Sequence, residues 1–224
     1  MLYIIATPIG NLEDITLRAL RVLKEVDLIA CEDTRVTKKL LDHFDIKNTT
    51  ISYFQHSKLS KIEYIIEQLK MGKNIALATD AGTPGISDPG QELIARIQNT
   101  DNRIQIIPIP GPSALTAAAS ISGMIEKEFY FAGFLPKKKG RQTKFKELIK
   151  LNVPIVIYES ANRLEKALGE IREYFGEDAK VFIAREITKM FEEYWGGSID
   201  EIIGDLSDHQ LKGEIVLIVS RQNS

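Results

Sequence analysis

Residues 74–90 read NIALATDAGTPGISDPG, and few folds accommodate such a stretch. Its first part, residues 75–79, is a short apolar run of the kind that forms a buried strand. Its second part packs Gly82, Gly85 and Gly90 together with Pro84 and Pro89, a density incompatible with the interior of a helix or strand. A helix is expected next, over residues 91–98. Strand, glycine-rich loop and helix make half of a βαβ unit. Open α/β sheets bind ligands where such loops leave the carboxyl ends of strands. The loop runs to about ten residues, against ~2–6 for an ordinary connection of this kind, so a ligand loop is favoured over a plain tight connection.

The surrounding chain repeats the alternation. Apolar runs over residues 2–6, 27–31, 50–54 and 104–109 read as further strands. The helix expected over 14–25 turns Ile15, Ala19, Leu20, Val22 and Leu23 inward, with Asp14 or Thr16 as its cap. Another ends at Leu41. A third covers 60–70, with Ser60 and Glu63 as a capping box, and a fourth, rich in small residues, covers 114–121. Five strands alternating with helices predict an α/β domain over residues 1–122, built on a mostly parallel, doubly wound sheet. A second, mixed α/β domain is expected over 123–224, with antiparallel edges. Its strands are placed at 129–133, 154–158, 181–184 and 214–219, and its helices at 142–150, 162–174 and 199–206. Residues 187–197, with Phe191, Tyr194 and Trp195, read as a β-hairpin.

Several function classes are disfavoured. The 224 residues carry a formal net charge of −2, which argues against a general electrostatic nucleic-acid binder but leaves room for a local basic patch. One cysteine, Cys31, cannot form an internal disulfide. No apolar run approaches the ~18 residues that span a membrane, and the first residues lack the basic segment of a signal peptide. A cytoplasmic protein is expected, with no membrane association. His43, His56 and His209 are scattered without Cys or Asp partners at ligand spacing, so no metal site is expected. The loop 7–11 has one glycine rather than G-x-G-x-x-G, and no G-x-x-x-x-G-K-[ST] or G-x-S-x-G occurs.

Four groups of residues remain as candidates for chemistry. Glu32, Asp33, Thr34 and Arg35 put two carboxylates and a guanidinium at the carboxyl end of a predicted strand. They either line a cleft and orient a substrate hydroxyl or amine, or Asp33 or Thr34 caps a helix while Arg35 pairs with Glu32. Pro110, Gly111, Pro112 and Ser113 lead into a small-residue helix whose free N–H groups suit the polar edge of a flat ligand. Lys137, Lys138, Lys139, Arg141, Lys144 and Lys146 concentrate positive charge in an otherwise neutral-to-acidic chain, either as a solvated face or as a polyanion contact. Glu159 with Arg163, and Arg185 with Glu186, are pocket charges or structural ion pairs.

Together these motifs are recognisable. Residues 2–16 (LYIIATPIGNLEDIT), 31–35 (CEDTR), 80–90 (DAGTPGISDPG) and 110–113 (PGPS) resemble the tetrapyrrole methylase superfamily. The likeness continues through FAGFLP at 131–136, YES at 158–160, ARE at 184–186 and KGE at 212–214. Within the superfamily it is to the branch that methylates the 2′-hydroxyl of a cytidine in small-subunit ribosomal RNA. The resemblance implies S-adenosylmethionine (SAM) in a cleft between two α/β domains, a homodimer, and the small ribosomal subunit or its RNA as partner. It implies SAM contacts from Asp80, Ala81, Gly82, Thr83 and Ile86, from Ser113 and Ala114, and from Glu159 and Ile187. Tetrapyrrole-modifying relatives read G-D-P where this chain reads Gly82-Thr83-Pro84, so backbone contacts survive there and an acidic side chain does not. Glu32, Asp33 and Arg35 are the candidates for positioning the hydroxyl and removing its proton. Lys137, Lys138, Lys139, Arg141 and Lys144 are the candidates for RNA contact. A C-methyltransferase acting on a tetrapyrrole, and a non-catalytic SAM- or nucleotide-binding module, are the alternatives.

Overall fold

The computed structural model describes residues 1–54, 59–209 and 212–221. His56 and the polar loop expected around it lie outside these residues. The chain divides into two compact units, Met1–Ser113 and Ala114–Ser224.

The first unit holds five strands: β1 (Leu2–Ile5), β2 (Leu28–Cys31), β3 (Thr50–Ser52), β4 (Ile75–Ala78) and β5 (Ile106–Ile109). Their order is β3-β2-β4-β1-β5, and every pairing is parallel. Four helices connect them: α1 (Leu17–Glu25), α2 (Thr34–His43), α3 (Leu59–Lys70) and α4 (Gln91–Thr100). The two-residue period of the strands builds two cores. Ile5, Ile29, Cys31, Ala76 and Ala78 face α1 and α2, whereas Leu2, Ile4, Leu28, Ala30, Ile75 and Leu77 face α3 and α4. Pro108 sits in β5, an edge strand, where a residue without an N–H costs the ladder least.

Local details differ from the sequence expectation. The first helix is split: Asn11 caps a short 3-10 turn, Leu12–Asp14, and Thr16 then caps α1 by accepting from the Ala19 N–H at 3.1 Å. Because α3 already begins at Leu59, Ser60 lies inside the helix and does not cap it.

The second unit opens with α5 (Ala114–Ile121), which packs on the last strand of its sheet. By its contacts α5 groups with the second unit, so the division between the two compact units falls at 113–114. The sheet contains β6 (Tyr130–Phe134), β7 (Ile155–Ser160), β8 (Lys180–Arg185), β9 (Glu193–Ser198) and β10 (Glu214–Ser220), in the order β6-β7-β10-β8-β9. The β6–β7 pair is parallel and the rest are antiparallel. One face is covered by α6 (Arg141–Leu148), α7 (Ala161–Phe175) and α8 (Ile199–Gly204), around Phe145, Leu164, Leu168, Ile171 and Ile183. The expected hairpin is formed by β8 and β9, and residues 186–192 are its connection rather than its first strand.

Candidate active site

In a parallel sheet all carboxyl ends share one edge. Adjacent strands β2 and β4 send their following helices, α2 and α4, to opposite faces. A crevice opens at such a switch point, and the residues beyond both strand ends line it. Here those residues are Glu32 and Asp33 after β2, and Asp80 after β4. The Asp80 carboxylate accepts the Asp33 backbone N–H at 3.1 Å.

The three carboxylates are held in different electrostatic states. Asp33 caps α2 by accepting the Arg35 N–H at 2.8 Å, and its side chain is also bridged by the Arg35 guanidinium, at 2.6 Å to Nη2. These hydrogen bonds lower its pKa to about 2. Arg35 thus pairs with Asp33, not with Glu32. Glu32 goes the other way: partial burial, then the nearby Asp80 charge, raise its pKa. Burial first, and then the Asp33 charge, raise that of Asp80 as well, against the Asp33 N–H that it accepts. A carboxylate with a raised pKa is a stronger base than an ordinary one, and Glu32 and Asp80 fit proton transfer better than Asp33.

Beside them the Gly82 loop is anchored at its base. Thr7 and Gly82 form a two-way backbone bridge, at 2.9 and 3.0 Å, which joins the loops after β1 and β4. The Thr7 hydroxyl donates to the Thr79 carbonyl at 3.0 Å. Gly82 has φ +83°, a conformation a side chain would strain. The Thr83 hydroxyl donates to the Pro112 carbonyl at 3.3 Å, so the loops after β4 and β5 meet within this unit and bring Ser113 alongside. Thr83, the departure from G-D-P, serves as this tether. Asp80, Ala81 and Ile86 remain exposed above the buried Gly82.

The donor set fits the methionine and ribose parts of SAM. The Asp80 carboxylate can accept from an ammonium or a hydroxyl, Ala81 is exposed beside it, and Ile86 offers an apolar surface. Two expected contacts in the second unit do not fit in the same way. Glu159 is 1% exposed, and its carboxylate is taken by Arg163, by Arg141 at 3.4 Å and by the Ser160 N–H at 2.8 Å. Its side chain has no exposed surface. Ile187 is buried in the connection after β8.

The basic segment also divides. Lys137, Lys138, Lys139 and Lys146 are exposed. Arg141, a candidate for RNA contact, is 3% exposed, with Nε on Glu170 at 2.7 Å and Nη1 on the Pro136 carbonyl at 3.2 Å. Lys144 is half-buried, with Nζ 3.1 Å from the Tyr130 hydroxyl and 5.1 Å from the ring centroid. Among the described residues no group of His, Cys, Asp and Glu could hold a metal ion, and no helix is long and apolar enough to cross a membrane.

Two of the solved structures with this fold are named as methyltransferases. A cobalt precorrin-4 methyltransferase of cobalamin biosynthesis superposes with a TM-score of 0.69 at 17% identity, covering 98% of this chain and 94% of its own. The uroporphyrin-III-C-methyltransferase of Thermus thermophilus gives 0.65 at 16% identity, with the same coverage of 98% and 94%. The family model described as Tetrapyrrole (Corrin/Porphyrin) Methylases matches residues 1–203, and the chain belongs to that family. Among curated relatives, the Thermotoga maritima protein is 45% identical over 219 residues, covering 98% of this chain and 97% of its own. The Bacillus subtilis protein is 44% identical over 225 residues, covering 100% and 76%. Both are named ribosomal RNA small subunit methyltransferase I.

Proposed function

We propose that this methyltransferase acts on small-subunit ribosomal RNA, methylating the ribose 2′-hydroxyl of a cytidine in the decoding region with SAM as donor. The observation that carries this reading is identity of 43–45% along nearly the whole chain with relatives named for small-subunit ribosomal RNA methylation. The tetrapyrrole enzymes share the fold at 16–17% identity, which speaks to architecture alone.

SAM supplies a methyl group on a sulfonium, open to in-line displacement by a substrate oxygen. The residues 80–86 would hold it, with the Thr7–Gly82 bridge fixing the loop base so that little reorganisation is needed on binding. Glu32 accepts the proton of the substrate hydroxyl. Asp80 keeps that carboxylate basic through its charge, and Asp33 with Arg35 fixes the start of α2 and therefore where Glu32 stands. Orientation of the two reactants is worth more than the base, because an aligned pair at ~3–3.5 Å turns a bimolecular encounter into an effectively unimolecular step. Lys137, Lys138 and Lys139 supply phosphate contacts. A homodimer, as the resemblance implies, belongs to the same proposal.

The test is methyl transfer from labelled SAM to small ribosomal subunits that lack the modification, with a precorrin-type tetrapyrrole assayed in parallel. The proposal expects label in the RNA, within a dinucleotide resistant to alkali, since 2′-O-methylation blocks cleavage at that phosphodiester. Label in the tetrapyrrole and none in the RNA would overturn it.

A further inference from the structure

Strand β6 contains a register shift. Tyr130 and Phe131 stand opposite Ile155 and Val156, but Gly133 and Phe134 stand opposite Ile157 and Tyr158, which leaves Ala132 as the extra residue of a bulge. In a regular strand Phe134 would share the face of Tyr130, the one packed by α6 and α7. The bulge transfers it to the opposite face, with Phe131, Val156 and Tyr158. Gly133 allows this by adopting φ +62°.

The consequence is an aromatic ring held in water. Phe134 is 55% exposed, and its ring meets Tyr158 edge-on at 5.5 Å and 63°. Tyr158 is in turn braced by Phe131 at 4.9 Å and by the Leu115 N–H, which its hydroxyl accepts at 3.0 Å. Phe134 is held against Tyr158 while more than half of its surface remains exposed. Three residues further on come the exposed Lys137, Lys138 and Lys139.

We propose that Phe134 is a stacking platform for one unpaired base of the RNA, with Lys137, Lys138 and Lys139 taking the adjoining phosphates. This rests on the RNA reading above and deepens it. RNA is read by proteins mainly through unstacked bases laid on aromatic rings, and a ring beside a cationic run is how single strands are held without reading a groove. Charge complementarity selects the occupant: this run is cationic in a chain of net charge −2, and the complementary surface is a phosphate backbone.

The test measures binding of a fluorescent single-stranded RNA oligonucleotide by anisotropy across a salt series, with SAM binding measured alongside. Phe134→Leu is expected to weaken RNA binding about ten-fold while leaving its salt dependence and SAM affinity unchanged. Phe134→Trp, which keeps a stacking face, should bind as the parent does. Reversal of charge at Lys137, Lys138 and Lys139 should weaken binding and flatten the salt dependence. If the parent binds RNA and Phe134→Leu binds equally well, the stacking role is wrong. A changed oligomeric state in Phe134→Leu by light scattering, with RNA affinity intact, would make the ring a contact with a second copy instead. A parent that neither binds nor methylates RNA would overturn the functional proposal itself.

Discussion

Of the charge clusters at strand ends among the described residues, one in each unit can be set side by side, because both are built from carboxylates and arginines. In the second unit Glu159 is enclosed and surrounded by Arg141 and Arg163, with Arg141 also bound to Glu170. In the first unit Glu32, Asp33 and Asp80 share one guanidinium, Arg35, and that one is committed to Asp33. The buried cluster has its cations matched to its anions and no face open to a ligand. The open one leaves Glu32 and Asp80 with raised pKa values beside each other. Charge at a strand end is therefore not a functional signal by itself; the proposal made for Glu32 rests on the excess of unmatched carboxylate beside the loop that leaves β4.

The contrast can be broken by substitution, beginning with the largest effect. Glu32→Gln keeps shape and hydrogen bonding but removes the base, and should lower the rate of methyl transfer by roughly 10²–10⁴-fold in a single-turnover assay. Glu159→Gln or Arg141→Met should instead cost about 1–3 kcal/mol of stability, measured by chemical denaturation, because each removes one partner of a buried charge whose second partner, Glu170 for Arg141 and Arg163 for Glu159, stays in place. Gly133→Ala, forced to a positive φ, should cost about 1–2 kcal/mol and re-aim Phe134. The smallest effect is expected at Asp33→Ala, which removes the α2 cap and should lower the melting temperature slightly while leaving SAM binding nearly intact.

The pH dependence sharpens the same comparison. The folded-state pKa of Glu32 lies above its unfolded value, so the ionised form is disfavoured by folding. Stability from this group is present below the unfolded pKa and is lost as pH rises through the folded one. Glu32→Gln should therefore equal or slightly exceed the parent in stability at neutral pH, an advantage that disappears in acid. Methyl transfer by the parent should fall as pH drops through a value above the ordinary carboxylate range, and Glu32→Gln should lack that limb. Equal pH profiles would remove Glu32 from the reaction.

Much of the architecture was legible because it rests on local signals. Buried parallel strands appear as continuous apolar runs, and Gly82, Gly85 and Gly90 punctuate the loop that leaves β4. The carboxylate crevice was half visible. Glu32 and Asp33 are adjacent in the chain, but Asp80 joins them across 47 residues through strand order, which periodicity does not encode. The burial of Arg141 with Glu159 was not legible for the same reason: a basic run and a strand-end glutamate look alike whether they are buried together or exposed. Phe134 was missed although a signal existed. A glycine within a strand pattern, Phe131-Ala132-Gly133-Phe134, is a bulge signature that reverses the expected face.

The central claim is that Glu32, and not the buried Arg141–Glu159 cluster, lies at the centre of reaction. The most direct measurement is the single-turnover rate of methyl transfer from labelled SAM to unmodified small subunits by the parent and Glu32→Gln, each with its unfolding curve. The account predicts a loss of at least about a hundred-fold in rate with the unfolding midpoint of the parent or slightly above it. A Glu32→Gln protein that transfers methyl groups at the parental rate would contradict it.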